Sequence, residues 1–357
     1  MTLRLTQEVL HLRLTDPLRI ARSDHSDAST ITTVVVELSD DRFPGIAGVG
    51  EGYPDRFYGE TPETMAAVLP YLLSFAGGFT AALTDPAAAR RKLESLGRAW
   101  SDNLRWNGGA KCAIDIAVHD FAGKVLGLPV HRLLELPSEI PPTDFTIGID
   151  EPGIVAQRAA RAADFPALKI KLGGPEDLET LRAVRGVYTG PIRVDANTGW
   201  TRDDAERLMP ELVALGVELV EQPFRARAYR DLAWLQERSP IPIVADESAV
   251  TDEDLDALVG VVAGINVKLA KCGGIGPAVR MLERARGLGF RIFLGCMEET
   301  SVGIGGSAVV ASFAAWVDLD GCLLLADDPF EGLELDADHR WILPERPGLG
   351  LTRRARD

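Results

Sequence analysis

The sequence predicts an α/β protein organised around a (β/α)-barrel, a modified TIM barrel, with a separate α+β region ahead of it. Three observations predict it. Beyond about residue 140, short apolar runs alternate with longer Ala/Leu/Arg/Glu-rich stretches; there are eight such runs; and acids and lysines recur at their C-terminal ends. Alternation of this kind implies a parallel sheet covered on both faces. Eight strands close a barrel, whose strand ends converge on one mouth.

Along the chain, the first 125 residues have a mixed texture. Residues 32–38 alternate as a strand does, and Gly48-Val49-Gly50-Glu51-Gly52-Tyr53-Pro54 reads as a connector. Thr61-Pro62-Glu63 opens a helix, with a capping residue ahead of a proline at the first position. A second helical pattern runs from Ala110 to Leu126 and stops at Gly127-Leu128-Pro129. The eight apolar runs then occupy 145–149, 167–172, 192–196, 217–220, 241–245, 264–269, 291–294 and 316–319. The expected division is an α+β domain at 1–125, completed by about 325–357, and a barrel domain at 126–324. Gly173-Gly174 and Gly273-Gly274 follow strands without the spacing of a dinucleotide fingerprint.

Composition narrows the partners. Of 357 residues, 46% are hydrophobic and 25% charged, and the net charge of −15 would repel a nucleic-acid backbone. The four cysteines are scattered without a CxxC pair, which fits free thiols in a reducing compartment. The N-terminus lacks the apolar core of a signal peptide and no stretch is long enough for a membrane span, so a cytoplasmic protein is expected. A homo-oligomer is compatible with the sequence.

The strand ends carry the chemistry. They read Lys169-Ile170-Lys171, Asp195-Ala196-Asn197, Glu221-Gln222-Pro223, Asp246-Glu247-Ser248 and Lys268. Asp195, Glu221 and Asp246 lie 26 and 25 residues apart, one βα unit each, so three neighbouring strands offer a carboxylate to one mouth. An oxygen-only set suits a hard cation, Mg²⁺ above all. Asn197, Glu247 and Ser248 are expected to support these acids. Lys169 and Lys171, two apart, share a strand face; as neighbours they should depress each other's pKa and free one as a base. Lys268 falls on the opposite side of the barrel, while Lys271 is expected in an exposed turn. Two lysines flanking a metal-bound carboxylate can remove an α-proton from one face and return it on the other. The difficulty of that reaction is the dianionic enediolate, whose charge the metal and an ammonium must offset.

These motifs, with Val267-Lys268-Leu269-Ala270-Lys271-Cys272-Gly273-Gly274, resemble the muconate-lactonizing-enzyme subgroup of the enolase superfamily across nearly the whole chain. Gly48-Val49-Gly50-Glu51 and Tyr58-Gly59-Glu60-Thr61 are similar to the loop of that family's N-terminal capping domain, and Ala113-Ile114-Asp115-Ile116-Ala117 to the lead-in to its barrel. Asp318-Leu319-Asp320-Gly321 is similar to the Asp-x-Asp signature of its dipeptide epimerases, the L-Ala-D/L-Glu epimerases among them. Asp318 and Asp320 would there hold the free ammonium of a dipeptide; the alternative is that they cap the next helix. The resemblance further implies Met297 beside the substrate, and a capping loop at Ile20-Ala21-Arg22-Ser23-Asp24-His25-Ser26 whose Arg22 or His25 meets the side chain. Glu298 stands where relatives commonly carry an apolar residue, which leaves acidic, apolar and cationic dipeptides open. The expected activity is a Mg²⁺-dependent epimerisation of the C-terminal residue through Lys171 and Lys268, with Lys169 tuning Lys171. The alternatives are an N-acylamino acid racemase, an o-succinylbenzoate synthase or a muconate cycloisomerase of the same subgroup, or a silent barrel that only binds.

Overall fold

The computed structural model describes residues 3–22 and 28–355. Its first body is a three-stranded antiparallel sheet, β1 (Leu3–Arg13), β2 (Thr30–Asp40) and β3 (Ala47–Gly52), backed by α1 (Pro62–Ser74), α2 (Pro86–Asn103) and α3 (Gly108–Leu126). Helix α1 starts at Thr61, which caps Thr64 N reciprocally, and α3 ends at Gly127 in the left-handed region, at φ 68°. The glycine-rich stretch expected to be a connector is instead the edge strand β3. Its glycines are demanded by contact. A Cβ on Gly48, Gly50 or Gly52 would lie 2.3, 2.0 and 2.0 Å from the carbonyls of Ala117, Ala113 and Gly109, successive turns of α3. Two strand residues advance about 6.7 Å and four helix residues about 6 Å, so the strand tracks the helix only with no side chain between them.

Helix α3 is buried on every side, from Gly109 to Gly123, because it lies between that sheet and the second body. After α4 (Val130–Leu133) comes a sheet of eight parallel strands, all eight of which coincide with the apolar runs. They are β4 (Phe145–Ile147), β5 (Leu168–Lys171), β6 (Ile192–Asp195), β7 (Val217–Glu221), β8 (Ile243–Ala245), β9 (Gly264–Val267), β10 (Arg291–Gly295) and β11 (Trp316–Asp318), paired in sequence order. A parallel bridge between Thr143 and Val317 joins the last strand to the approach to the first, which closes the barrel.

The intervening helices are α5 (Pro152–Arg161), α6 (Asp177–Arg185), α7 (Arg202–Ala214), α8 (Tyr229–Arg238), α9 (Leu255–Leu258), α10 (Leu269–Cys272) with α11 (Ile275–Gly287), and α12 (Ser301–Ala308). Strict eightfold alternation does not hold: β11 is followed by a 3₁₀ turn at Gly321–Leu323, not a helix. Residues beyond 325 touch both bodies, since Trp341 and Leu351 join the barrel core while Arg353 pairs with Glu8 of β1. One carboxylate crosses between the bodies. Glu51 of β3 accepts hydrogen bonds from Thr300 N, Thr300 Oγ1 and Gly303 N at the start of α12, and from Thr33 Oγ1 within its own sheet. No helix among the described residues is long and apolar enough to cross a membrane.

Candidate active site

The C-terminal ends of β6, β7 and β8 bring Asp195, Glu221 and Asp246 together. Each offers an oxygen within 4.8 Å of the other two, and all three side chains are buried. The register explains the convergence: Lys171 pairs with Asp195 and Asp195 with Glu221 across adjacent parallel strands. Short polar braces hold each acid. Asn197 N and Nδ2 donate to Asp195, Asn266 Nδ2 donates to Glu221 Oε1 at 2.7 Å, and Gln222 Oε1 accepts from Asp246 N and Ser248 N. Asn197 thus braces an acid directly and Asn266 joins it, whereas Ser248 acts through Gln222 and Glu247 faces Asn197 and Arg22. Asn266 could have been found, because it sits two residues before Lys268 on the same inward strand face.

Four lysines surround the acids. Lys171 Nζ is 2.7 Å from Asp195 Oδ2, and Lys268 Nζ is 2.9 Å from Asp246 Oδ2. These two lie on β5 and at the end of β9, four strands apart in an eight-stranded barrel, hence on opposite sides. Lys169 lies deeper, 1% exposed, with Nζ 2.8 Å from Glu221, 2.6 Å from Asp318 and 5.1 Å from the Phe293 ring centroid. Mutual depression by two ammoniums does not govern Lys169. Burial would lower its pKa, but Asp318, Glu221 and Asp195 hold it well above the ordinary lysine value.

Lys271 corrects a second expectation. It is not in an exposed turn but 3% exposed, in the short helix α10, with Nζ donating to Asp246 Oδ1 and to the carbonyls of Asp246, Ala249 and Asn266. Burial alone would raise the Asp246 pKa, yet Lys268 and Lys271 hold it well below the usual carboxylate value. Glu221 behaves oppositely: burial and then the Asp195 charge push it up to about 7. Four lysine side chains therefore pair with four acids at the barrel mouth, Asp318 included.

On β11 and just beyond, Asp318 and Asp320 converge on Thr146 of β4, whose hydroxyl donates to Asp318 and whose backbone N–H donates to Asp320. Asp320 makes no side-chain cap to the following turn, so helix capping does not account for it. The two acids differ in charge state. Burial and Asp318 push Asp320 up to about 8, while Lys169 holds Asp318 below the ordinary value against its own burial.

Lys171 and Lys268 line a cavity of about 230 Å³, together with Tyr53 and Asp55 of the first body and Met297 and Glu298 after β10. Arg22 also lines it, but its guanidinium is engaged: Nε lies 3.2 Å from Glu247, Nη2 lies 3.5 Å from Asp55, and the group stacks 4.5 Å over Phe57. His25 lies outside the described residues.

The donor set suits a hard divalent ion, with three buried carboxylate oxygens converging from three rigid strands and no sulfur or imidazole among them. Residues 3–135 match the family described as mandelate racemase / muconate lactonizing enzyme, N-terminal domain, and residues 154–356 the family described as enolase C-terminal domain-like. The chain is 36% identical, over 91% of its length and 82% of the relative's, to an L-Ala-D/L-Glu epimerase of Bacteroides thetaiotaomicron. It is 35% identical, over 96% of both chains, to an L-Lys-D/L-Arg epimerase of Methylococcus capsulatus. Its fold is similar to that of a dipeptide epimerase from Enterococcus faecalis V583 complexed with Mg and L-Leu-L-Tyr, with a TM-score of 0.86 at 30% identity, covering 99% of this chain and 100% of that one.

Proposed function

This chain belongs to the mandelate racemase / muconate lactonizing enzyme family of the enolase superfamily, and from that membership we propose that it is a Mg²⁺-dependent dipeptide epimerase. The observation that carries the reading is the pair Lys171 and Lys268 on opposite sides of one cavity, with Asp318 and Asp320 gathered on Thr146 of the strand next to that of Lys171. A racemase of acylated amino acids or a cycloisomerase would have no ammonium to offer that acid pair.

Asp195, Glu221 and Asp246 would hold the ion, which supplies positive charge to the substrate carboxylate as its α-carbon loses a proton. The remaining work falls to the side chains. Asp318 and Asp320, oriented by Thr146, take the N-terminal ammonium and so fix the C-terminal residue between the lysines. Neutral Lys171 accepts the α-proton from one face; the electron pair left on carbon delocalises into the carboxylate; Lys268 ammonium donates a proton to the other face. Run backwards, the roles exchange, so either epimer is a substrate. Lys169, cationic and buried against Glu221 and Asp195, stays protonated and adds fixed positive charge beneath the reacting carboxylate.

Relatives of nearly equal identity act on dipeptides as different as Ala-Glu and Lys-Arg, so overall identity does not choose the side chain. Mass-spectrometric deuterium uptake in D₂O, with and without chelator, across L-Ala-L-X and L-X-L-Ala libraries tests the reading. Metal-dependent uptake of a single deuteron at the α-carbon of the second residue is expected. Turnover of N-acylamino acids with no uptake into any dipeptide would overturn it.

A further inference from the structure

We propose that the preferred substrates are dipeptides carrying a lysine or arginine side chain, and that Glu298 selects them; this rests on the epimerase reading. The charges lining the cavity are already matched, with one exception. Lys171 is paired with Asp195, Lys268 with Asp246, and Arg22 with both Glu247 and Asp55. Glu298 has no ion-pair partner among the described residues, and burial together with the nearby Glu298 charge raises the pKa of the Tyr53 hydroxyl.

Each class of side chain meets a different balance there. An acidic one would face Glu298 and find Arg22 held by two carboxylates, so like-charge repulsion would go unanswered. An apolar one would strip water from the Glu298 carboxylate and leave it unpaired. A cationic one supplies the missing counter-charge. Glu298 directly follows Met297 in the loop after β10, the strand between those that lead to Lys268 and carry Asp318. Its charge is therefore presented beside the two lysines from the loop that follows β10.

The test is the Mg²⁺-loaded enzyme in D₂O with Ala-Lys, Lys-Ala, Ala-Arg, Ala-Leu, Leu-Ala and Ala-Glu, read as kcat/KM for deuterium uptake. At one of the two positions, the cationic dipeptide should exceed its leucine counterpart by about 10- to 100-fold, the range of one charge-assisted hydrogen bond. Glu298→Gln should collapse that ratio towards one, and Glu298→Lys should turn the preference towards Ala-Glu. Fast uptake confined to neutral or acidic dipeptides in the unmodified enzyme overturns the inference and leaves the epimerase reading standing. An unchanged ratio in Glu298→Gln also overturns it. No uptake into any dipeptide overturns the epimerase reading and takes this inference with it. The unmodified enzyme's profile decides even if a variant fails to fold.

Discussion

The Lys271 ammonium lies 2.5 Å from Asp246 Oδ1 and is sealed from solvent by the carbonyls of Asp246, Ala249 and Asn266. It leaves Asp246 with two cationic neighbours, Lys268 towards the cavity and Lys271 behind. Lys271→Met should lower the stability of the chelator-treated protein by about 3–5 kcal/mol, because it leaves buried charge and three carbonyls without their donor. Urea unfolding followed by circular dichroism measures this. A loss below about 1 kcal/mol would show that the ammonium is not needed to hold the strand end together.

The two cavity lysines should separate epimerisation from exchange. Lys171→Ala and Lys268→Ala should each reduce epimerisation by about 10³-fold or more, within reach of the loss of one general acid–base group. Each variant should still exchange the α-proton of the one stereoisomer whose C–H faces the lysine that remains. Proton NMR of each pure epimer in D₂O distinguishes the cases; full activity in either variant would remove that lysine from the reaction.

Asp320 gives a pH dependence with a definite sign. Its folded pKa, about 8, lies above the ordinary value of 3.8, so its contribution to stability is fully present below about pH 4. It is lost as the pH rises through about 8. Asp320→Asn removes that titration while keeping an oxygen for Thr146 N. Urea midpoints at pH 5 and pH 8.5 should therefore fall further for the unmodified protein than for the variant. Equal falls would mean that Asp320 is ionised across the whole range.

Gly50→Ala should destabilise the first body by about 1–3 kcal/mol, the usual range for overpacking, because the added methyl would sit 2.0 Å from the Ala113 carbonyl. Thermal unfolding of this variant beside Gly45→Ala separates space from conformation. Gly45 has open space around it and a positive φ of 81°, so it reports backbone strain alone. Similar losses in both variants would discount the close approach of strand and helix.

The barrel was legible in the sequence because each strand falls in a mainly apolar run of four to six residues, with polar residues at the ends of most of them. That pattern is local. Asp195, Glu221, Asp246 and both cavity lysines could be named for the same reason. What escaped is non-local. Strand β3 reads as a loop because three glycines signal a turn, and only the approach of α3 gives them another purpose. Lys271 looks exposed in a Gly-Gly turn until α10 folds it under Asp246. The charge state of Lys169 depends on Asp195, Glu221 and Asp318, which come from three other strands and share no sequence proximity with it.

Glu51 has a consequence for how such proteins can be recombined. A carboxylate of the N-terminal sheet accepts from the start of a barrel helix, α12, that begins three residues after Glu298. The two bodies are therefore not interchangeable modules. A graft that exchanges the first 135 residues for those of a relative must bring an acid to position 51, or else leave Thr300 N, the Thr300 hydroxyl and Gly303 N without that acceptor just beyond Glu298. Changes of substrate preference made by trading N-terminal halves would thus be confounded by a displaced α12, whereas substitutions made inside the cavity would not.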